Sequence, residues 1–425
     1  MGYWDGKVGA AENLRLFDSA KGWIAHGDVV DGEGHTTAFG AQRNVELALS
    51  LALNSSNLLF LSGAGTSFCA TNETPGALGA PGMGDLWDSV AAAVGKPLFD
   101  DVLKLIAKVS PKDRNIERLL SLSKIYVELF DTPESNKIAG FIAKAEDAIT
   151  KRVDFVDGKT NLDAHGKLIR RIARRGIRKQ RARIFTTNYD LAFEHAAQAQ
   201  RFTVIDGFSH AMPQAYDRGH FSYDLVRRDG TKDAPDYVEN VFHLYKLHGS
   251  IDWRRIGSDV VRSRDVTLGT PLLIFPRDSK YQQSFESPYL DMMAALQSAL
   301  REPDTALVVS GFGFNDEHIA KPIMAAVEAN MTLRVVVCDV AFLDDVELVG
   351  NEHTIGAAAP MRPGANEYFK RFKKLAEIGD QRINLLNGRF EDLVDATPDL
   401  VAETERERHA ERLKVLRDPH PAGKP

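Results

Sequence analysis

Short runs of consecutive apolar residues, each followed by a glycine or a polar turn, recur along this chain. Leu58-Leu59-Phe60-Leu61 is the first. Others are Ile184-Phe185-Thr186-Thr187, Val241 to Leu247, Leu272 to Phe275, Ala306 to Val309, Leu333 to Cys338 and Arg382 to Leu386. Unbroken apolar runs of this length suit strands covered on both faces of a parallel sheet. Helical periodicity separates several of them, at Asp190 to Gln200, Ser287 to Arg301 and Ile319 to Asn330. A helix over Arg43 to Leu53 is apolar nearly all round, as a buried helix should be. The alternation predicts the α/β class, a Rossmann-like doubly wound parallel sheet.

One stretch breaks the alternation. After the Gly/Pro-rich residues 74–84, helical patterns follow one another at Leu86 to Val94, Phe99 to Val109, Asn115 to Phe130 and Asn136 to Thr150. Ile116, Leu119, Leu120 and Leu122 keep one apolar stripe. This predicts a helical insertion over about 80–180. The expected organisation is an N-terminal arm (1–42) with little core of its own, a main domain (43–395) and a charged tail (396–425).

Composition changes the picture mainly by exclusion. The chain has 425 residues, 44% hydrophobic and 26% charged, ordinary for a globular protein. The longest apolar stretch, Val45 to Leu61, is broken by Asn54-Ser55-Ser56-Asn57, so no membrane span is expected. The N-terminus has no basic segment followed by an apolar one, so a cytoplasmic location is expected. Cys69 and Cys338 are the two cysteines, too few for a disulfide framework or a four-cysteine zinc module. The net charge of -6 argues against a nucleic-acid coat protein. One basic run remains: Lys167, Arg170, Arg171, Arg174, Arg175, Arg178, Lys179, Arg181 and Arg183, with no acid between them. It reads as a solvated helix face or as a surface for an acidic partner or nucleic acid.

Candidate chemistry sits at strand ends. Gly63-Ala64-Gly65-Thr66-Ser67 lies between a strand and an expected helix, where glycines let a backbone approach a pyrophosphate. The dinucleotide fingerprint wants a third glycine where Phe68 stands, and glycine also serves turn geometry alone. Thr186-Thr187-Asn188-Tyr189-Asp190 ends a second strand; Asn188 or Asp190 is either a helix cap or a ligand group. His248 ends a third, in Leu247-His248-Gly249-Ser250. His243 lies five residues earlier and points to the opposite face, so the two share no metal. Gly311-Phe312-Gly313-Phe314-Asn315-Asp316-Glu317-His318 opens a helix. Its Asp316-x-His318 looks like a metal fragment, but no third or fourth ligand is visible, so no metal site is expected. Asp339 closes the Val-rich strand, to hold a ribose hydroxyl or to cap the next segment.

In this order, each at a strand end, these motifs resemble the sirtuin superfamily over about Val45 to Val394. Specifically, they are similar to the zinc-less bacterial sirtuin-like domains of anti-phage defence proteins. Thr-Thr-Asn188-Tyr-Asp190 resembles the family's Thr-Gln-Asn-x-Asp, with Thr187 in place of Gln, and Leu247-His248-Gly249 resembles its catalytic Leu-His-Gly. The resemblance implies NAD as substrate and no zinc. It implies Asn188, His248 and Asp190 as catalytic residues, with Gly63, Ala64, Gly65, Thr66, Ser67, Thr187, Gly311, Phe312, Gly313 and Asp339 binding NAD. Deacylase sirtuins carry two Cys-x-x-Cys pairs that this chain lacks, which favours plain NAD hydrolysis over protein deacylation or ADP-ribosyl transfer. A non-catalytic NAD or ADP-ribose sensor is the other alternative. The family also implies a homo-oligomer that docks on a hexameric ATPase of the HerA type, with nucleic acid engaged only indirectly.

Overall fold

The computed structural model describes residues 3–399 apart from 107, 113, 176–178, 229–235, 274–286 and 351–352. Among the described residues, ten strands form the main sheet. In chain order they are β1 (Arg15–Asp18), β2 (Gly22–Ala25), β3 (Asn57–Ser62), β4 (Arg183–Thr186), β5 (Thr203–Ile205), β6 (Val241–Lys246), β7 (Thr305–Ser310), β8 (Arg334–Cys338), β9 (Thr354–Ile355) and β10 (Ile383–Asn387). Their order across the sheet is β9-β2-β1-β10-β8-β7-β3-β4-β6-β5. From β10 to β5 every pairing is parallel, and β1, β2 and β9 add an antiparallel edge. The central six, read from β6 to β10, run third, second, first, fourth, fifth, sixth along the chain. That is the doubly wound order, with its switch point between β3 and β7.

Period-two alternation along the strands feeds two apolar layers. Leu59, Leu61, Phe185, Leu307, Val309, Val335 and Val337 face α8 (Tyr289–Arg301), α9 (Glu317–Ala329) and α10 (Glu367–Glu377). Leu58, Phe60, Ile184, Leu244, Val308 and Val336 face α1 (Gln42–Asn54), α6 (Asp163–Ala173), α7 (Ala192–Ala199) and α11 (Phe390–Ala396). Here α8 to α11 are numbered after the insertion helices α2 (Met83–Val94), α3 (Lys96–Leu105), α4 (Ile116–Leu129) and α5 (Pro133–Val153). Those four build a separate core around Val90, Val102, Leu119, Phe141 and Ile149. Leu191 and Ile251 of the main domain join it, so the insertion leans on the sheet edge that carries the candidate site.

Three expectations are corrected. The insertion is narrower than 80–180: α6 packs Leu168, Ile169 and Ile172 against the sheet and is an ordinary crossover helix. The arm is not coreless, because β1 pairs with β10 and Leu14 and Trp23 are fully buried. Leu14, Leu16, Phe17 and Trp23 are therefore covered within the same chain, while Val8 and Phe39 stay exposed. Leu272 and Leu273 belong to Thr270–Leu273, a strand of a second, four-stranded antiparallel sheet; Ile274 and Phe275 lie outside the described residues. So do Arg178 and most of the expected tail, 400–425.

The basic run is neither a solvated face nor an open patch. Arg175 donates to the carbonyls of Leu53, Ser55 and Ser56, and Lys179 to that of Asn54. These are the carbonyls at and just past the C-terminus of α1, which have no partner inside the helix and attract cations. Lys167 meets Asp395 at 3.1 Å, Arg181 meets Asp224 at 2.8 Å and Arg183 meets Glu302 at 2.9 Å. The cations pin α1, α11 and the sheet together. Among the described residues no helix is long and apolar enough to cross a membrane.

Candidate functional site

Four strand ends meet on the C-terminal edge of the sheet, at the switch point where open α/β sheets take ligands. The turn after β3 carries Gly63 to Ser67. It does not open an α-helix as expected: a single 3-10 turn, Ala64–Thr66, follows, and the next helix is α2 at Met83. Its amides are also engaged. Gly63 donates to Ser310 O at 3.3 Å, Gly65 to Gly311 O at 3.0 Å, Thr66 to Gly63 O at 3.0 Å and Ser67 to Ala64 O at 3.1 Å. The turn thus differs from the expected helix N-terminus, with four of its five amides engaged within the protein.

The glycines have another use here. A Cβ on Gly65 would lie 2.6 Å from Gly311 Cα, and one on Gly63 would lie 2.5 Å from Gly311 O. Gly311 itself has φ +62, and a Cβ there would lie 2.5 Å from Thr66 N. The turns after β3 and β7 thus pack backbone to backbone, closer than any side chain permits. The Phe312 side chain packs in the core and is 3% exposed, which leaves only its backbone for the ligand-binding role expected of it. Gly313 is exposed, and its carbonyl accepts from Asn366 Nδ2 at 2.6 Å.

Buried polar side chains tie these turns to the end of β4. Ser62 Oγ and Thr66 Oγ1 are 2.7 Å apart. Asn188 Nδ2 donates to Gly63 O at 3.0 Å and to Ser67 Oγ at 2.9 Å, and Ser67 Oγ donates to Asp190 Oδ2 at 2.8 Å. The other Asp190 oxygen accepts from Ala192 N at 3.0 Å, at the start of α7. Both oxygens of Asp190, expected as catalytic, thus accept from protein donors, and through Ser67 it positions Asn188. Asn188 spends its amide nitrogen on the turn, and Oδ1 accepts from no described residue, leaving it as the acceptor. Thr187 extends the sheet ladder, donating its N–H to Ser62 O at 3.0 Å.

His248 follows β6 and is 2% exposed. Its ring lies 6.4 Å from that of Tyr189, and its Nε2 is 3.1 Å from His318 Nε2. One imidazole donates and the other accepts, so the tautomers of the pair are coupled. Lys246 supports this corner from below. It meets Glu194 Oε1 at 3.0 Å and donates to the Asp190 carbonyl, pinning the Asn188 loop to β6. Burial pushes the Glu194 carboxyl up, against the pull of Lys246. Sequence reasoning missed the parts played by Lys246 and His318. The only available signals were a lysine in an otherwise apolar strand and the discounted Asp316-x-His318.

Asp339 lies one strand beyond β7, at the end of β8. Its Oδ1 accepts from Ala341 N at 2.9 Å, so it caps the following turn. Desolvation raises its pKa to about 6. Burial likewise pushes the Cys69 thiol up to about 12 and that of Cys338 well above its ordinary value. Cys69 and Cys338 donate to separate carbonyls, Thr66 O and Gly388 O. The residues present do not fit the four-cysteine zinc site of deacylase sirtuins.

Residues 182–353 match the SIR2-like domain family. That segment begins at β4 and carries Asn188, Asp190, His248, His318 and Asp339, while the Gly63 to Ser67 turn lies outside it. A solved structure described as "Structural Basis for the Mechanism and Regulation of Sir2 Enzymes" aligns with 79% of this chain and 98% of its own, at 12% identity and a TM-score of 0.31. A likeness at that score supports nothing further. No curated protein matches the chain.

Gly311→Ala should show how tightly the two turns are locked. A left-handed alanine costs about 1–2 kcal/mol before any clash. The expected result is a loss of at least that much stability in urea denaturation. An unchanged midpoint would mean that the turns are not held in contact.

Proposed function

We propose that this chain hydrolyses NAD+ to nicotinamide and ADP-ribose. The observation that carries the reading is that Asn188 and His248 stand on adjacent strands at one edge of the switch point. The SIR2-like segment that contains both supports it, as does their agreement with the family pattern. The proposed setting is a cytoplasmic, NAD-depleting effector of bacterial anti-phage defence. There it works as a homo-oligomer docked on a hexameric ATPase of the HerA type.

Cleavage of the nicotinamide–ribose bond sends the bonding electron pair to the ring nitrogen. Nicotinamide therefore leaves neutral and needs no strong acid. The ribose passes through an oxocarbenium-like state, as in glycoside cleavage. Asn188 Oδ1 accepts a hydrogen bond from a ribose hydroxyl and fixes the sugar. Water attacks the anomeric carbon, and His248 takes its proton, directly or through a ribose hydroxyl. The 3.1 Å contact between His248 Nε2 and His318 Nε2 couples the tautomers of the two rings, so His248 accepts a proton at Nε2 only when that nitrogen carries no hydrogen. The proton then goes to solvent, which balances the reaction. A base so placed contributes about 10²–10⁴-fold in rate.

Free nicotinamide measured after incubation with NAD+, with and without an acetylated peptide, tests this. Release independent of peptide is expected, and release only with peptide would instead indicate a deacylase. His248→Gln and Asn188→Ala should lower release by at least about 10²-fold, with folding checked by circular dichroism. Activity within a few-fold of wild type in both folded variants would overturn the assignment. Light scattering on the full chain checks the assembly: a mass above that of one chain is expected, and a monomer at micromolar concentration would exclude the oligomer.

A further inference from the structure

Asp316 immediately precedes α9 and His318 is its second residue, while His248 comes from the end of β6. Folding brings one ligating atom from each, a carboxylate oxygen and two imidazole nitrogens, within 4.8 Å of one another. Both histidines are nearly buried, at 2% and 7% exposure, and Asp316 is half-buried. Bonds of about 2.0–2.1 Å at tetrahedral angles hold two zinc-bound nitrogens about 3.3–3.4 Å apart. The Nε2 atoms of His248 and His318, 3.1 Å apart, already stand close to that spacing. Two imidazoles and one carboxylate suit a borderline ion such as Zn2+ or Co2+, whereas Mg2+ and Ca2+ prefer all-oxygen shells. Three protein ligands leave a fourth position open to water. The N-terminus of α9 opposes a cation. Asp316 offsets it with a negative charge inside the cluster.

We propose that His248, Asp316 and His318 bind a divalent first-row transition ion of the zinc class, and that the bound ion withdraws His248 from NAD cleavage. The site departs from the expectation of no metal, which rested on Asp316-x-His318 lacking a third ligand; the fold supplies it. Coordination occupies the lone pair with which the imidazole would accept a proton. The effect on turnover rests on the NAD hydrolase reading, whereas binding does not.

Untagged full-length protein, stripped with chelator and dialysed, is titrated with Co2+ and followed by its visible d–d absorption. A band that saturates at a single equivalent and is abolished by Zn2+ is expected. Asp316→Asn and His318→Gln should each weaken cobalt binding by about tenfold or more, since even outer-shell partners are worth 10–100-fold. Circular dichroism checks folding, and Asp316→Asn, at a half-exposed position, carries the comparison if His318→Gln unfolds. No saturable band in wild type, or wild-type binding in the folded variants, would overturn the site. In the nicotinamide assay Zn2+ should inhibit wild type, with Asp316→Asn needing about tenfold more zinc for equal inhibition. Turnover unaffected by Zn2+ at concentrations that fill the site would overturn the inhibitory role. Cobalt binding without any nicotinamide release removes the hydrolase reading and leaves the site standing.

Discussion

The site depends on one close approach, the backbone contact between the turns that end β3 and β7. These strands flank the switch point, and the Gly65 amide donates across it to Gly311 O at 3.0 Å. No side chain fits between them, since a Cβ on Gly65 would lie 2.6 Å from Gly311 Cα. With the two turns locked, the β3 turn becomes a fixed platform. Its Gly63 carbonyl and Ser67 hydroxyl are then in place to receive Asn188. The glycines that resemble a phosphate loop are thus accounted for by packing, and the chemistry passes to the side chains hung from the platform.

Those side chains share one hydrogen-bonded network that leaves Asn188 Oδ1 as its outward acceptor. Ser62, Thr66, Ser67, Thr186, Asn188 and Asp190 are all buried. A buried polar group left unpaired costs about 1–3 kcal/mol, so the network holds together or fails together. Its directions are set by chemistry: Asp190 only accepts, so Ser67 donates to it, and Ser67 can then accept from Asn188. That sequence of donors fixes the Asn188 amide with its nitrogen inward. Lys246 and Glu194 brace the same loop from the opposite side, linking β6 to α7. On the far side of β6, His248 and His318 join the end of that strand to α9. Each of the four strand ends is therefore held by at least one other.

Much of the fold was legible in the sequence because buried parallel strands leave a plain signature. Leu58 to Leu61, Ala306 to Val309 and Leu333 to Cys338 are apolar on both faces and appear as strands where expected. The edge strands were not legible. β1 and β2 are short and set among Gly, Asp and Lys, and only the pairing of β1 with β10, and of β2 with β1, gives Leu16 and Trp23 a core to join. Of the candidate site, Asn188, Asp190 and His248 were singled out by type and by position at strand ends. The distinction between a ligand group and a positioning group was not visible, since it turns on which oxygen of Asp190 is already taken. The meeting of His248 with Asp316 and His318 was hidden for a simpler reason. About seventy residues separate them, and spacing along a chain says nothing of partners that the sheet brings together.

On the proposed reading, NAD lies over the locked turns with its nicotinamide ribose at Asn188 and His248. The most direct measurement is a crystal structure of the His248→Gln protein soaked with NAD+. The account predicts density for the dinucleotide along the C-terminal edge of β3, β4 and β7, with a ribose hydroxyl within hydrogen-bond distance of Asn188 Oδ1. A dinucleotide bound away from that edge, or lying there with its adenine end at Asn188, would contradict it.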